Sequence, residues 1–489
     1  MSLFTKKSVT ELRAEAERGI LRRSLGAVNL TALGIGSIIG TGIFVLTGTA
    51  AANNAGPALV ISMVIAAVAC AFAGLCYAEL ASMIPVAGSA YTYAYATVGE
   101  LVAWIIGWDL VLEYALSAST IAVGWSGYFV SLMHDLGIHI PDALTAAPGV
   151  AVASATGGAA ISGVFNLPAA AITLIVSALL IYGIKESATT NAILVVVKSA
   201  VLVVFVVAGM AYVRRENLTP FIPPNIGEFG HFGWSGILRG AGVIFFAFIG
   251  FDAVSTAAQE AKKPQRDMPV AILTSLAICT VLYIAVAVVL TGIVHYSKLN
   301  TASPLAVGID ATGLTWLSPV IKVSALFGMF STMLVQLIGQ TRIFYSMSRD
   351  GLLPGVFSKV HPRFRTPWIS TMITAVIIAI AAGLSPISVL GQLVSMGTLL
   401  AFVLACIGIL ILRRTAPELE RPFKTPGMPW VPVLGVVTCL AQMLGLPWAT
   451  WVRLFVWLAL GLAVYFLYGR ARAEAVRRRP AAAGSELAA

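Results

Sequence analysis

The sequence predicts an all-α polytopic membrane protein with twelve transmembrane helices, and three observations carry that expectation. Hydrophobic residues make up 58% of the 489 residues and charged residues only 11%, whereas about a quarter of a soluble domain is normally charged. Twelve apolar runs are long enough to cross the hydrocarbon of a bilayer as helices. The basic residues are unevenly shared between its two sides. With the N-terminus placed inside, 23 of the 31 Lys and Arg fall in inner segments and 6 at outer ends, leaving Lys198 and Arg342 within spans. That is the positive-inside asymmetry, so the net charge of +10 follows topology and no nucleic-acid partner is expected. Arg477-Arg478-Arg479 reads as a topology or anionic-lipid signal. The expected location is the cell membrane, with N- and C-termini cytoplasmic.

In chain order, the first 24 residues are polar and charged and lack the apolar core of a cleavable signal. Residues 1–27 are expected as an amphipathic leader on the cytoplasmic surface. Spans are expected at 28–50, 57–83, 99–131, 167–184 and 190–213, then 239–260, 269–294, 319–347, 367–384 and 389–412. Two more follow at 430–449 and 451–469. Segments 135–165 and 214–237, rich in loop-forming residues, are expected as external loops, and 470–489 as a disordered tail. The five cysteines all lie in apolar runs without ligand spacing and read as small buried apolar side chains.

Two spans resist a continuous helix. Gly34, Gly36, Gly40 and Gly42 crowd the first around Thr41, and each glycine is a poorer helix former than alanine by about 1 kcal/mol. Glycines let helices pack closely. They also let a helix break at mid-depth, where freed N–H and C=O groups must face protein, water or a ligand. Four of them together favour the break. The sixth span carries Phe-Phe-Ala-Phe-Ile-Gly-Phe-Asp at 245–252, ending in a carboxylate that lipid would reject. Broken spans at corresponding places in two halves point to a transporter site between inverted repeats. Five spans per half make the halves opposite in topology. The expectation is a five-plus-five inverted repeat, 28–213 and 214–412, with helices 1 and 6 discontinuous and two extra helices in 430–469.

Polar groups inside the spans are the next signal. Lys198 lies about eight residues into the fifth span, roughly 12 Å deep at 1.5 Å per residue. Its stem could snorkel to the interface, although the distance is long. A lysine at helix centre costs about 2.5–3.5 kcal/mol on insertion scales, so it is expected to face the bundle interior, where it could take up and release a proton. Asp109 and Glu113, four apart, share one face of the third span. Glu113, the deeper, could attract a cationic side chain, share a proton, or be satisfied by neighbouring hydroxyls. Asp252 could complement Lys198 or Glu113. Gln336 is either a bond between helices or a ligand. Glu79 and Arg342 read first as structural or gating charges. The five histidines fall in or beside loops without metal spacing, and no nucleophile elbow, zinc-protease or phosphate-loop motif occurs. No enzyme chemistry, cofactor or metal is expected.

These residues also carry a resemblance. Its stretches are Ile35–Phe44, Cys-Tyr-Ala-Glu-Leu at 76–80, Pro-Val-Ala-Gly-Ser-Ala-Tyr-Thr-Tyr at 85–93 and Gly-Trp-Asp-Leu-Val-Leu-Glu-Tyr at 107–114. Phe245–Ser255, Pro-Gln-Arg-Asp-Met-Pro at 264–269 and Gly-Gln-Thr-Arg at 339–342 complete the set. Over about residues 20 to 470 the chain resembles the amino acid–polyamine–organocation superfamily. Within it, the likeness is to the cationic amino-acid transporter family in its shorter, twelve-span bacterial form.

The resemblance implies a set of roles. Ile38, Thr41 and Gly42 would hold a substrate α-carboxylate, as a half-helix N-terminus favours. Carbonyls of Phe246, Ala247 and Ile249 would receive the α-ammonium, with the Phe246 ring as a gate, and Glu113 would face the substrate side chain. Lys198 would stand where sodium binds in sodium-coupled relatives, implying proton coupling, with Asp252 a second candidate for that role. Gln336 falls where pocket size is set, in place of the apolar or small residue of the pattern. The expected function is a secondary active transporter, a proton-coupled L-amino-acid symporter working by alternating access on small neutral or cationic amino acids. Its partners would be an L-amino acid, protons and membrane lipids. An exchanger without net proton flux is the alternative within that class; an ion channel lined by broken helices is the alternative outside it.

Overall fold

The computed structural model describes residues 5–8, 24–84, 86, 89–152, 161–183 and 188–477. Most of the expected leader, Pro85, Ala87 and Gly88, Lys185 and the tail beyond 477 lie outside the described residues.

Helices start where the local chemistry stops the chain from winding earlier. α1 (Ala27–Ile38) is followed by α2 (Leu59–Met83), which Pro57 introduces from a tight turn. α3 runs Glu100–Asp135. α4 (Leu167–Ile181) opens on Asn166, whose side chain accepts the Ala169 N–H, with Pro168 in the first turn. α5 (Ala188–Met210) and α6 (Gly233–Ile244) come next. α7 (Pro264–Ile293) starts on a proline, and Asp267 one turn in accepts the Lys263 N–H at 3.1 Å. After α8 (Leu317–Arg349), prolines 367, 386, 429 and 447 immediately precede α9 (Trp368–Leu384), α10 (Ile387–Thr415), α11 (Trp430–Gly445) and α12 (Trp448–Val464). Proline has no N–H to lose at these places, which is why the expected boundaries fall close to the observed ones there.

Among the described residues, eight helical segments are long and apolar enough to cross a membrane, and three more apolar helices are shorter. The longest of the eight, Ala27–Met83, contains both α1 and α2. Val207, Val281, Leu444 and Trp448 are exposed on outward faces, as expected of a surface solvated by lipid rather than water. Inside, α3 packs on α8, α2 on α7 and α4 on α9, while α10 lies across α3 and carries α11.

Loops hold structure that hydropathy does not reveal. Segment 135–165 includes a short antiparallel pairing of Ala151–Val152 with Ile161–Ser162. A short helix, Ser89–Thr97, joins α2 to α3, and another, Pro304–Asp310, precedes α8. The first of these, Ser-Ala-Tyr-Thr-Tyr-Ala-Tyr-Ala-Thr, lacks an apolar period. Its phenols anchor it instead: Tyr91 donates to Asp350 at 2.5 Å and Tyr95 to Glu100 at 3.0 Å.

The charges read as structural form tight clusters. Glu79, fully buried, takes both a two-pronged bond from Arg413 (2.8 and 2.7 Å) and the N–H of Thr425 at 2.7 Å. Arg421 approaches the same carboxylate at 3.3 Å. The knot fastens the 416–425 segment onto α2 and α10. All five cysteines are buried free thiols.

Candidate functional site

α1 stops at Ile38 because the next residue leaves helical geometry: Ile39 is extended at φ −74°, ψ 95°. Winding resumes as a π-turn at Gly42–Leu46, continues through Thr47–Ala50 and ends as a second π-turn at Ala51–Ala55. The opposite element behaves similarly. α6 tightens into a single 3-10 turn at Phe245–Phe248, Ile249 is extended at φ −66°, ψ 138°, and Gly250 has φ +128°. Only glycine adopts that φ without strain. A short helix, Ala253–Thr256, follows.

Interrupted helices leave backbone groups to satisfy, and here named side chains take them. The Lys198 amino group donates to the Gly36 carbonyl at 2.5 Å and to the Ile39 carbonyl at 2.9 Å. The Thr332 hydroxyl lies 3.1 Å from both oxygens and 2.9 Å from the Gly328 carbonyl of its own helix, and can donate to any one of the three. Tyr283 donates to the Ile38 carbonyl at 2.8 Å. A buried carbonyl left without a donor costs about 1–3 kcal/mol, so these three side chains together make the break affordable in an apolar setting.

The two interruptions touch. A methyl group on Gly42 would overlap the Ala247 backbone, and one on Gly250 would stand 2.8 Å from the Ser37 carbonyl oxygen. Between them lies a chamber of about 10 Å³. Ser37, Ile38, Gly40, Thr41 and Gly42 form one wall; Phe246 and Ile249 form the facing one. α3 contributes Ser117 and Ile121, and α8 contributes Thr332 and Gln336. Gln336 donates to the Ser117 hydroxyl at 3.0 Å, which joins those two helices across the chamber. Thr41 turns its hydroxyl toward the Met329 sulfur at 3.1 Å. Among the described residues, no acidic or basic side chain lines this space.

A second, larger cavity of about 690 Å³ opens on the side that carries Lys7, Arg349 and Arg365. Two ion pairs lie in its lining: Lys7 with Asp350 at 2.5 Å, and Arg342 with Glu260 at 2.9 Å. Arg342 also donates to the Thr256 carbonyl at 3.0 Å, so it ties α8 to the segment beyond the second interruption.

Six of the residues singled out in the sequence, Ile38, Thr41, Gly42, Phe246, Ile249 and Gln336, line the chamber together. The other four, Ala247, Glu113, Asp252 and Lys198, do not line it. Ala247 is buried beneath Gly42. Glu113 is buried, close enough to Asp252, Asp109 and Thr398 of α10 to interact with them, and its Oε2 has no hydrogen-bond partner among the described residues. Asp252 folds back on its own chain, accepting the Gly250 N–H at 3.2 Å; its carboxylate neighbour is Glu113, a like rather than an opposite charge. Lys198 stands behind the first wall, against α1. Sequence reasoning missed Thr332, Tyr283, Ser117, Ile121 and Ser37. Thr332 had a usable signal, being four residues before Gln336 and hence on its face of α8; the hydroxyls of Tyr283 and Ser117 resemble many others in the chain.

With this geometry in hand, the comparisons agree on the family. The amino acid permease family model matches residues 25–468. The chain is 48% identical over 471 residues to the branched-chain amino acid permease BcaP of Bacillus subtilis, covering 96% of this chain and 98% of that protein. It is 47% identical over 469 residues to the methylthioribose transporter of the same organism, again covering 96% and 98%. The vacuolar cationic amino acid transporter 4 of Arabidopsis thaliana is 40% identical over 420 residues, 85% of this chain and 68% of that one. A multi-pass helical architecture, two touching interruptions and these matches converge: the chain belongs to the amino acid permease family of the amino acid–polyamine–organocation superfamily.

Proposed function

We propose that this protein is a secondary active transporter that carries neutral aliphatic L-amino acids together with protons by alternating access. The observation that carries the reading is the pair of interruptions facing one another across an uncharged chamber. The half-helix beginning at Thr41 and Gly42 directs N–H groups and the positive end of its dipole at an α-carboxylate. Carbonyls at Phe246–Ile249 face it and suit the α-ammonium. Ile38, Ile121 and Ile249 offer the substrate side chain an apolar surface, and without a carboxylate on the wall a cationic side chain would be desolvated and unpaired. This favours neutral over cationic substrates and accords with the branched-chain permeases among the relatives.

The frame proposed around the site is twelve membrane passes in a cell membrane, with both termini cytoplasmic. Spans 28–213 and 214–412 form two inverted repeats and 430–469 adds two helices. The packing of α2 on α7, α3 on α8 and α4 on α9 supports it, since each pair joins elements five places apart. In this orientation the 690 Å³ cavity is a cytoplasmic vestibule and the conformation is inward-facing. A chamber of about 10 Å³ is far too small for an amino acid. Loading therefore requires the Gly42 and Ala247 backbones to part, and release into the vestibule requires Phe246 and Ile249 to move aside. Lys198 couples the proton: its bonds to Gly36 and Ile39 hold the end of α1 in one position, and changing its protonation changes that hold.

A second reading concerns the substrate. Ser117, Thr332 and Gln336 present hydroxyl and amide groups suited to a polyhydroxy ligand, and one relative at 47% identity is named a methylthioribose transporter. Uptake of labelled alanine, isoleucine, arginine and methylthioribose into proteoliposomes under an inward proton gradient separates these readings. Isoleucine or alanine should accumulate and arginine should not. Accumulation of methylthioribose alone would replace the substrate assignment, and sodium dependence would remove the coupling assignment.

A further inference from the structure

Two buried polar atoms flank the Lys198 cradle without a hydrogen-bond partner among the described residues: Ser37 Oγ and Asn191 Oδ1. They lie on different cavities. Ser37, 1% exposed, lines the substrate chamber, and Asn191, 7% exposed, lines the vestibule. Asn191 precedes Lys198 by seven residues, two turns of α5, and so shares its face. It rests on α1 where the lysine does: a methyl group on Gly36 would stand 3.2 Å from Asn191 Oδ1 and 3.6 Å from its Nδ2. The Gly36 carbonyl, in turn, accepts from Lys198. Asn191 on the vestibule and Lys198 thus meet α1 at the same residue, Gly36, and the next residue, Ser37, lines the chamber.

An orphaned buried amide oxygen is unfavourable, and buried polar groups beside a cavity with enough room are normally satisfied by water. Four of the charges around the vestibule are engaged with each other, Arg342 with Glu260 and Lys7 with Asp350. Leucine would fill the position with nearly the same shape and no such cost. An amide there is therefore explained by what it hydrogen-bonds.

We propose that Asn191 is a positioning residue that orders the water through which Lys198 exchanges its proton with the vestibule, with Ser37 playing the same part on the chamber side. The inference rests on the coupling role proposed for Lys198. In the transfer, a proton leaves the lysine nitrogen for a water whose own O–H is held by Asn191 Oδ1, or passes the opposite way. Asn191 neither gains nor loses a proton.

The test uses the full chain in proteoliposomes with labelled L-isoleucine. In Asn191→Leu, initial uptake driven by a proton gradient should fall at least fivefold, while counterflow exchange, which needs no net proton movement, stays within twofold of wild type. Asn191→Ser, which keeps a hydroxyl for the water, should recover most of the driven rate. Wild-type driven uptake in Asn191→Leu, or an equal loss of driven uptake and counterflow in both variants, overturns the proposal. If Lys198→Ala abolishes accumulation while Asn191→Leu does not impair it, only the water path fails. If Lys198→Ala accumulates isoleucine normally, the coupling reading fails first and takes the path with it.

Discussion

The Lys198 amino group donates to the Ile39 carbonyl at 2.9 Å, across 159 residues of sequence, at the residue where the first helix turns extended. That bond places a basic group against the negative end of a helix dipole. It also means that the lysine touches the backbone rather than the chamber, so its influence on substrate passes through the shape of the interruption.

Lys198→Ala should therefore separate coupling from binding. The Thr332 hydroxyl remains within 3.1 Å of the same two carbonyls, so the interruption keeps a donor. Accumulation above equilibrium should disappear, whereas counterflow should stay within about threefold of wild type. Radiolabel uptake with and without a proton gradient checks this, and equal loss in both assays would make Lys198 a structural residue.

Gly42→Ala should abolish both activities. The added methyl meets the Ala247 backbone, and neither strand of the seam can yield without displacing a chamber wall. Overpacking of this kind typically costs about 1–3 kcal/mol. Thermal unfolding in detergent should show a lowered midpoint and no stabilisation by substrate. Transport at wild-type rate would show that the two interruptions are not closely apposed in the working protein.

Glu113→Gln should leave the competition profile of amino acids unchanged, because Glu113 lies outside the chamber. Gln336→Ala should alter it. That substitution removes the amide from the wall and releases Ser117, so larger side chains such as phenylalanine should compete at least fivefold better. A competition screen in both variants decides between them. A selective loss of arginine competition in Glu113→Gln would restore the carboxylate as a side-chain contact.

Glu79→Ala should destabilise without changing selectivity. It leaves Arg413 and the nearly buried Arg421 without their carboxylate, and removing one partner of a buried ion pair costs about 3–5 kcal/mol. The detergent melting midpoint should fall while the relative uptake of isoleucine and alanine is preserved.

What could be read in the sequence follows the physics of each signal. Lipid forces length and apolarity on a span, so most helix limits fall within a few residues of expectation, aided by prolines such as Pro367 and Pro386. Glycines reported the first interruption because Gly36, Gly40 and Gly42 crowd its middle, although Gly36 and Gly40 also let α5 and α8 approach closely. Residue type revealed that Lys198 and Gln336 face inward, but not what they touch. Gly36 and Ile39, Lys198's acceptors, are backbone carbonyls, and these carry no sequence signature. Charge and the family resemblance together group Glu113 with the substrate and Asp252 with the lysine. Which way a buried carboxylate turns depends on rotamer and neighbours such as Gly250 and Thr398, which lie far apart in the chain or look ordinary in it. Ser37, Ser117 and Asn191 were silent because buried hydroxyls and amides are common in membrane helices, and only their adjacency to two cavities distinguishes them.

The most direct measurement is uptake of labelled L-isoleucine by wild-type protein in sodium-free proteoliposomes under an imposed inward proton gradient, with Lys198→Ala alongside. Wild-type vesicles should concentrate the label above the outside level and lose it when the gradient is collapsed, and the variant should only equilibrate. Equilibration alone in wild type, or concentration that persists in Lys198→Ala, would contradict the account.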